Sequence, residues 1–340
     1  MGCFDRLAMI AGMTTLRPGA PGRPKRPAPI ACGRRSWLRR LASTTTAVAA
    51  SSALPGCAFR HFPPIAYTPL LYSLRAPEAP GEVALFGGLH SGLSRFYPLP
   101  DRVEQAFAES RQLLIEVDLV AQAAAIRQAT GPVALLPDGQ TLEQVLSPDV
   151  LQRLRTHYAL RPWDWDEVRR LQPWALTLLL PNADDVRLAA TARDGLDHTL
   201  LARARAAGKP VIELEAPEDQ IRALASGTLA EQEAALALRL VQLQAWDRTY
   251  TQIVHAWRTG DANALAALKD RAYPPDGPLA GLRVRLFAQR DARWAREMAS
   301  VLQQRERSFA LVGVLHLVGP DSLLLELSRQ GIDVRPVRHE

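Results

Sequence analysis

The chain has 340 residues, 47% apolar and 22% charged, which is material for one large core or two ordinary ones. Its formal charge of +6 is set by the first 56 residues, which hold nine Lys/Arg and one acid, Asp5, leaving 32 basic and 34 acidic side chains for the rest. A body with that balance, and with no basic stripe interleaved with aromatics, argues against nucleic acid as a partner. Cys3, Cys32 and Cys57 all lie in or at the edge of the basic leader, so the body offers no thiol for a disulfide, a cysteine-built zinc site or a nucleophile.

The first element in chain order is a leader over residues 1–56. "GRRSWLRR" (33–40) is followed by the uncharged, mildly apolar "LASTTTAVAASSALPGC". A basic segment, a short apolar one and a small-residue exit form the pattern of an export signal, and the apolar part is too short and too polar to span a bilayer. Arg34-Arg35-Ser36-Trp37-Leu38-Arg39 resembles the twin-arginine export motif, with Trp and Arg where Phe and Lys are usual. "LPGC" resembles a lipobox, which makes Cys57 the expected lipidation site and the membrane, through that anchor, an expected partner. The competing reading is a Pro/Arg-rich N-terminus with a chance cysteine. Residues 57–69 read as a proline-rich tether.

The folded part is expected over 70–337. "LLYSLRA" (70–76) and "EVALFG" (82–87) read as a strand pair joined by "PEAPG". "DRVEQAFAES" (101–110) reads as a helix with Val103, Ala106 and Phe107 on one face, and "RQLLIEVDL" (111–119) as a buried strand with an acidic end. A helical insertion follows over about 141–190, with Thr141 and Ser147 as capping residues and a break at Pro173. "GLDHTLLARARAAGKPVIELE" (195–215) reads as helix, Gly208 stop and strand. Residues 231–260 and 282–304 each read as one long amphipathic helix. "SFALVGVLH", "DSLLLELSRQG" and "IDVRPV" then complete a strand, a helix and an edge strand. The fold class is mixed α/β (α+β), with a sheet built from N- and C-terminal strands around a helical middle.

Two stretches repeat one design. "VALFGGLH" and "FALVGVLH" each end a strand with Gly-x-x-His, which carries His90 and His316 just past a sheet edge, where α/β proteins bind ligands. A metal site of the His/carboxylate kind needs a third donor, and "LLIEVD" offers Glu116 and Asp118, placed on one side of a strand by their spacing of two. Glu116 interrupts an apolar run, where a carboxylate is costly unless paired or bound. Either histidine alone reads first as a turn residue with its hydrogen bonds met; the repeat and the interrupting carboxylate together carry the functional reading.

These blocks, with "LDHTLLARARAAGKPVIELE", "AQRDARWAREMA" and "FALVGVLHLVGPDSLLLELSRQGIDV", resemble the TraB/GumN family, which includes the Tiki-type metalloproteases. The resemblance covers about residues 70–337. It implies a metal-dependent peptidase with His90, Glu116 and His316 as ligands of a divalent cation. It also implies a role for Arg290-Asp291, where Arg290 would neutralise a developing oxyanion or, with Asp291, hold the substrate; a solvated, salt-bridged helix face is the alternative. Gly88 stands where many members have Thr or Ser, and Gln289 where a carboxylate is common.

His61, His157, His198, His255 and His339 read as surface or capping residues, and Trp163, Trp165, Trp174 and Tyr158 as packing or a cleft lining. The function expected is therefore an envelope-exported, lipid-anchored, metal-dependent hydrolase of a peptide or small molecule. Glu116, Asp118 and Arg290 are its catalytic candidates, with Asp118 a base or an orienting carboxylate. Two rivals stand beside it. One is a metal-independent His/Glu hydrolase resembling the erythromycin esterases; the other is an envelope binding protein that only recognises its ligand.

Overall fold

Apolar side chains alternate between two faces along each central strand, and that alternation gives the sheet two covered sides. A computed structural model describes residues 67–159, 165–180 and 190–337. The leader, Cys57, most of the tether, His61, Trp163 and His339 lie outside the described residues. Six strands form one mixed sheet: β1 (Leu71–Arg75), β2 (Glu82–Gly88), β3 (Gln112–Ile115), β4 (Val211–Glu213), β5 (Arg307–Gly313) and β6 (Asp333–Pro336). Their order is β4-β3-β5-β2-β1-β6. The first four in that order run parallel, and β1 and β6 close the far side antiparallel.

On one face Phe86, Leu113, Ile115, Phe309 and Leu311 meet three helices. These are Asp101–Glu109 through Val103 and Phe107, Leu196–Ala206 through Leu200 and Leu201, and Trp246–Thr259 through Tyr250, Val254 and Trp257. On the other face Leu85, Leu114, Ala310 and Val312 meet Trp294, Met298 and Leu302 of the helix Ala288–Leu302, and Leu323 and Leu327 of the helix Leu323–Arg329. The expected mixed α/β class is what the structure has, and β4, from the middle of the chain, joins the strands from the two ends of the folded part. A further apolar cluster holds the short helices within 142–159 and 165–180 against Leu236 and Leu240 of the helix Leu229–Gln244.

Several element boundaries differ from expectation. The strand expected over 111–119 ends at Ile115, so the period-two argument stops just before Glu116 and Asp118. Residues 231–260 form two helices, Leu229–Gln244 and Trp246–Thr259, broken at Ala245 (φ −124°, ψ 22°). The break lets Leu236 and Leu240 serve one apolar cluster while Tyr250 and Trp257 serve another. Residues 282–304 are likewise broken at Phe287, between the helices Ala280–Leu286 and Ala288–Leu302. Pro173 opens the helix Pro173–Leu179, where its missing N–H costs nothing, rather than interrupting a longer one. The helices Ala123–Ala134, Pro217–Ala225 and Ala262–Ala272 were not expected from the pattern.

Among the described residues no helix is long and apolar enough to cross a membrane. Tyr158 packs on Trp165 with centroids 6.3 Å apart, both in the apolar cluster of the helical middle. Trp174 is buried in a separate cluster with Ile221.

Candidate active site

The two strand–glycine–histidine units lie side by side. β2 and β5 are neighbouring parallel strands, with Gly87 opposite Val312 and Gly88 opposite Gly313. Both histidines therefore leave the sheet at the same edge, the carboxyl end of the parallel strands. A Cβ at Gly88 would meet Leu311 Cδ1 at 2.6 Å, the tip of a flexible side chain that would have to turn aside. Gln289 is exposed on its helix.

His316 sits in the 3-10 turn Val314–Leu317 that follows β5 and is almost fully buried. Its ring packs between Phe287 and Trp294, with centroids 4.9 and 4.4 Å away. Nδ1 lies 2.5 Å from Asp291 Oδ1, and Nε2 lies 3.4 Å from Arg290 Nη1. A guanidinium only donates, so Nε2 is the acceptor and the proton rests on Nδ1, facing Asp291. Burial, helped by the Arg290 charge, holds this imidazole well below its ordinary range and keeps it neutral. Burial also pushes Asp291 well above the ordinary carboxylate range. The pair is thus driven to its low-charge form, as a dry site demands.

Glu116 follows β3 on the face covered by the helix Ala288–Leu302. Its Oε2 accepts from Arg290 Nη2 at 2.8 Å and its Oε1 from the Gly313 N–H at 2.7 Å. Burial alone would raise its pKa, but Arg290, then His90 and His316, overturn that and hold the carboxylate ionised below its usual range. Arg290 also donates from Nη2 and Nε to Glu215, at 2.6 and 3.0 Å. Burial opposes the charge on Arg290, yet the two glutamates raise its pKa. Arg293 Nη2 lies 3.6 Å from Glu215, so two arginines face two glutamates.

His90 is the opposite case, with half of its side chain exposed. Its Nδ1 lies 2.9 Å from Oδ2 of Asp197, in the first turn of the helix Leu196–Ala206. Gly313 marks where the parts meet. An atom at its missing Cβ would stand 3.4 Å from Glu116 Oε1, 3.5 Å from His90 Nε2 and 3.6 Å from His316 Cδ2. The expected triad of His90, Glu116 and His316 is therefore brought around one point. Asp118 is not part of it: its Oδ1 accepts from the Val120 and Ala121 N–H groups and its Oδ2 pairs with Arg205. Arg290 lies inside the site rather than at its rim, and Asp291 is buried against His316 rather than presented to a substrate.

In this structure donors of the expected metal triad are engaged by other protein groups. Among the described residues no three His, Cys, Asp or Glu side chains are grouped to hold a metal ion. The reason is Arg290, whose guanidinium already occupies Glu116 Oε2 and faces His316 Nε2. A divalent cation needs those donors within about 2.0–2.2 Å, and the guanidinium fills that place with its own charge.

Asp197 and Glu215 were not singled out in the sequence. Glu215 had a signal, since "VIELE" ends acidic beside β3 just as "LLIEVD" does. Asp197 reads only as a favourable first-turn acid. Among the weaker histidines, His198 and His255 are exposed on their helices.

A model of the TraB/PrgY/gumN family matches residues 73–336, and the chain belongs to that family. It is 28% identical over 240 residues to the uncharacterized protein YbaP of Escherichia coli K12, covering 70% of this chain and 85% of that one. It is 23% identical over 313 residues to metalloprotease TIKI2 of Danio rerio, covering 78% of this chain and 60% of that one. For TIKI1 of the same fish the figures are 24% over 302 residues, 74% and 60%. No solved structure matches the chain.

Proposed function

We propose that this member of the TraB/PrgY/gumN family is a peptidase-like hydrolase whose reaction takes place over Gly313. The observation that carries the reading is the convergence of His90 Nε2, Glu116 Oε1 and the His316 ring on that one backbone position. His90 is the accessible base: Asp197 holds Nδ1, and Nε2 faces the gap, where it takes a proton from an attacking water. A general base alone contributes about 10²–10⁴-fold, short of the ~10⁶-fold at which enzymatic accelerations begin. An electrophile is therefore required to meet the negative charge that develops on the scissile carbonyl oxygen. Arg290, bonded to Glu116 beside the gap, is the cation assigned to that role.

A second reading is favoured by the two Danio rerio relatives, which are metalloproteases. In it His90, Glu116 and His316 would hold a divalent cation, which would supply Lewis-acid polarisation of the scissile carbonyl, with Arg290 kept by Glu215. Metal analysis of purified protein, with peptide hydrolysis assayed before and after chelation, separates the two. Stoichiometric metal with chelator-sensitive turnover selects the second reading, and chelator-resistant turnover the first. No hydrolysis of any peptide in a broad library, with or without divalent metal, overturns both and leaves a binding protein. Export and anchoring at Cys57 belong to the same proposal and rest on residues 33–57. Cys57→Ala is expected to release the protein from membranes.

A further inference from the structure

We propose that Asp197 is the positioning residue of the site, fixing His90 as the Nδ1–H tautomer so that its Nε2 lone pair is directed at Gly313; this rests on the hydrolase reading and deepens it. The first observation is the 2.9 Å approach of Asp197 Oδ2 to His90 Nδ1. A carboxylate beside one ring nitrogen attracts the proton to that nitrogen and leaves the other free to accept.

The second observation is independent, and it lies in the backbone. The segment carrying Asp197 is pressed onto the segment carrying His90. The Leu196 N–H donates to Leu89 O at 3.0 Å, and Gly92 and Thr191 exchange two backbone hydrogen bonds at 2.9 Å. Any Cβ at Gly195 would come within 2.0 Å of the His90 carbonyl oxygen, and any at Gly92 within 1.9 Å of that of Asp194. Real Cβ atoms do not approach backbone oxygen so closely, so both positions are restricted to glycine by the docking itself. Tyr250 and Tyr97 close the junction, donating to Ser91 O and Asp194 O, each at 3.0 Å. A surface ion pair between a half-exposed histidine and an aspartate needs none of this. Two glycines, three backbone hydrogen bonds and two tyrosines hold Asp197 at a set distance from a ring that would otherwise rotate in water.

The tautomer is directly observable without a known substrate. In ¹⁵N-labelled full-length protein at mildly alkaline pH, long-range ¹H–¹⁵N spectra distinguish a nitrogen that carries a proton from one that bears a lone pair. The His90 signals are those that vanish in His90→Gln. In the wild type, Nε2 is expected at the lone-pair position and Nδ1 at the protonated position. In Asp197→Ala both are expected to move toward the averaged position of a free imidazole, with the backbone spectrum otherwise retained. Gly195→Ala is expected to shift them in the same direction, because it lifts Asp197 away from the ring without removing its carboxylate. A wild-type His90 protonated on Nε2, or signals unmoved in Asp197→Ala, overturns the inference whatever the protein hydrolyses. Absence of hydrolysis with the tautomer as expected overturns the hydrolase reading alone.

Discussion

The two histidine units use one device in opposite surroundings. In each, a carboxylate on a covering helix faces Nδ1 of an imidazole at the end of a parallel strand: Asp197 for His90, Asp291 for His316. The helices come from opposite faces of the sheet, so the site is clamped from both layers and meets over Gly313. His90 remains half exposed, whereas the His316 side chain is 7% exposed and enclosed by Phe287, Trp294 and Arg290. The difference teaches a division of labour. The exposed half can exchange protons with substrate and solvent, while the buried half holds charge and shape.

The largest effect is expected from breaking the buried half. Arg290→Met leaves Glu116 and Glu215 facing each other in a dry interior, and removing one partner of a buried pair costs about 3–5 kcal/mol. Urea unfolding of the variant should show a loss of that order. A loss within experimental scatter would mean the network is solvated and the comparison is wrong.

Breaking the exposed half should leave the fold intact. His90→Ala is expected to change stability by no more than about 0.5 kcal/mol, as for an exposed side chain, while hydrolysis falls about 10²–10⁴-fold. Equal loss of stability and activity would erase the distinction between the halves.

Gly313→Ala probes the point where they meet. Its Cβ would rest in ordinary van der Waals contact with all three neighbours, so the protein should fold with a stability change under about 1 kcal/mol. The methyl group would fill the space over the strand end, and turnover should be lost although every polar group remains. Retained turnover would move the reaction away from Gly313.

The smallest effect is in pH dependence. His316 is held neutral in the fold by burial, while in the unfolded chain it protonates near its ordinary value of about 6.5. Below that value the unfolded state binds more protons, so stability falls as pH falls. Burial raises Asp291 and Glu215, which contribute with the opposite sign because there the folded state holds the extra protons. His316→Gln should therefore flatten the decline in stability between about pH 7 and pH 5.5. An unchanged slope would show that the ring is charged in the fold.

How much of this was legible in the sequence depended on the range of the cause. Gly-x-x-His after an apolar run locates His90 and His316 because a strand's end is a local event, and Glu116 stands out because a charge interrupts a buried run. Thr141 could be read as a helix start from its neighbours alone, and the capping box with Gln144 is there. The breaks at Ala245 and Phe287 carry no Gly or Pro; they arise because the two halves of each run serve different packing partners, which no local pattern records.

The sequence by itself determined the class of fold, the strand-end position of both histidines and the buried carboxylate, since those follow from hydrophobic period and from the cost of an unpaired charge. Only the tertiary structure decided their partners. Asp197 is 107 residues from His90, and Arg290 is 174 from Glu116. Residues so far apart meet only when two helical layers close on one sheet. That closure put a guanidinium where three donors alone implied a metal, and it turned Asp291 inward to His316. It also made Gly195 and Gly92 obligatory, because two backbones there approach more closely than any side chain allows.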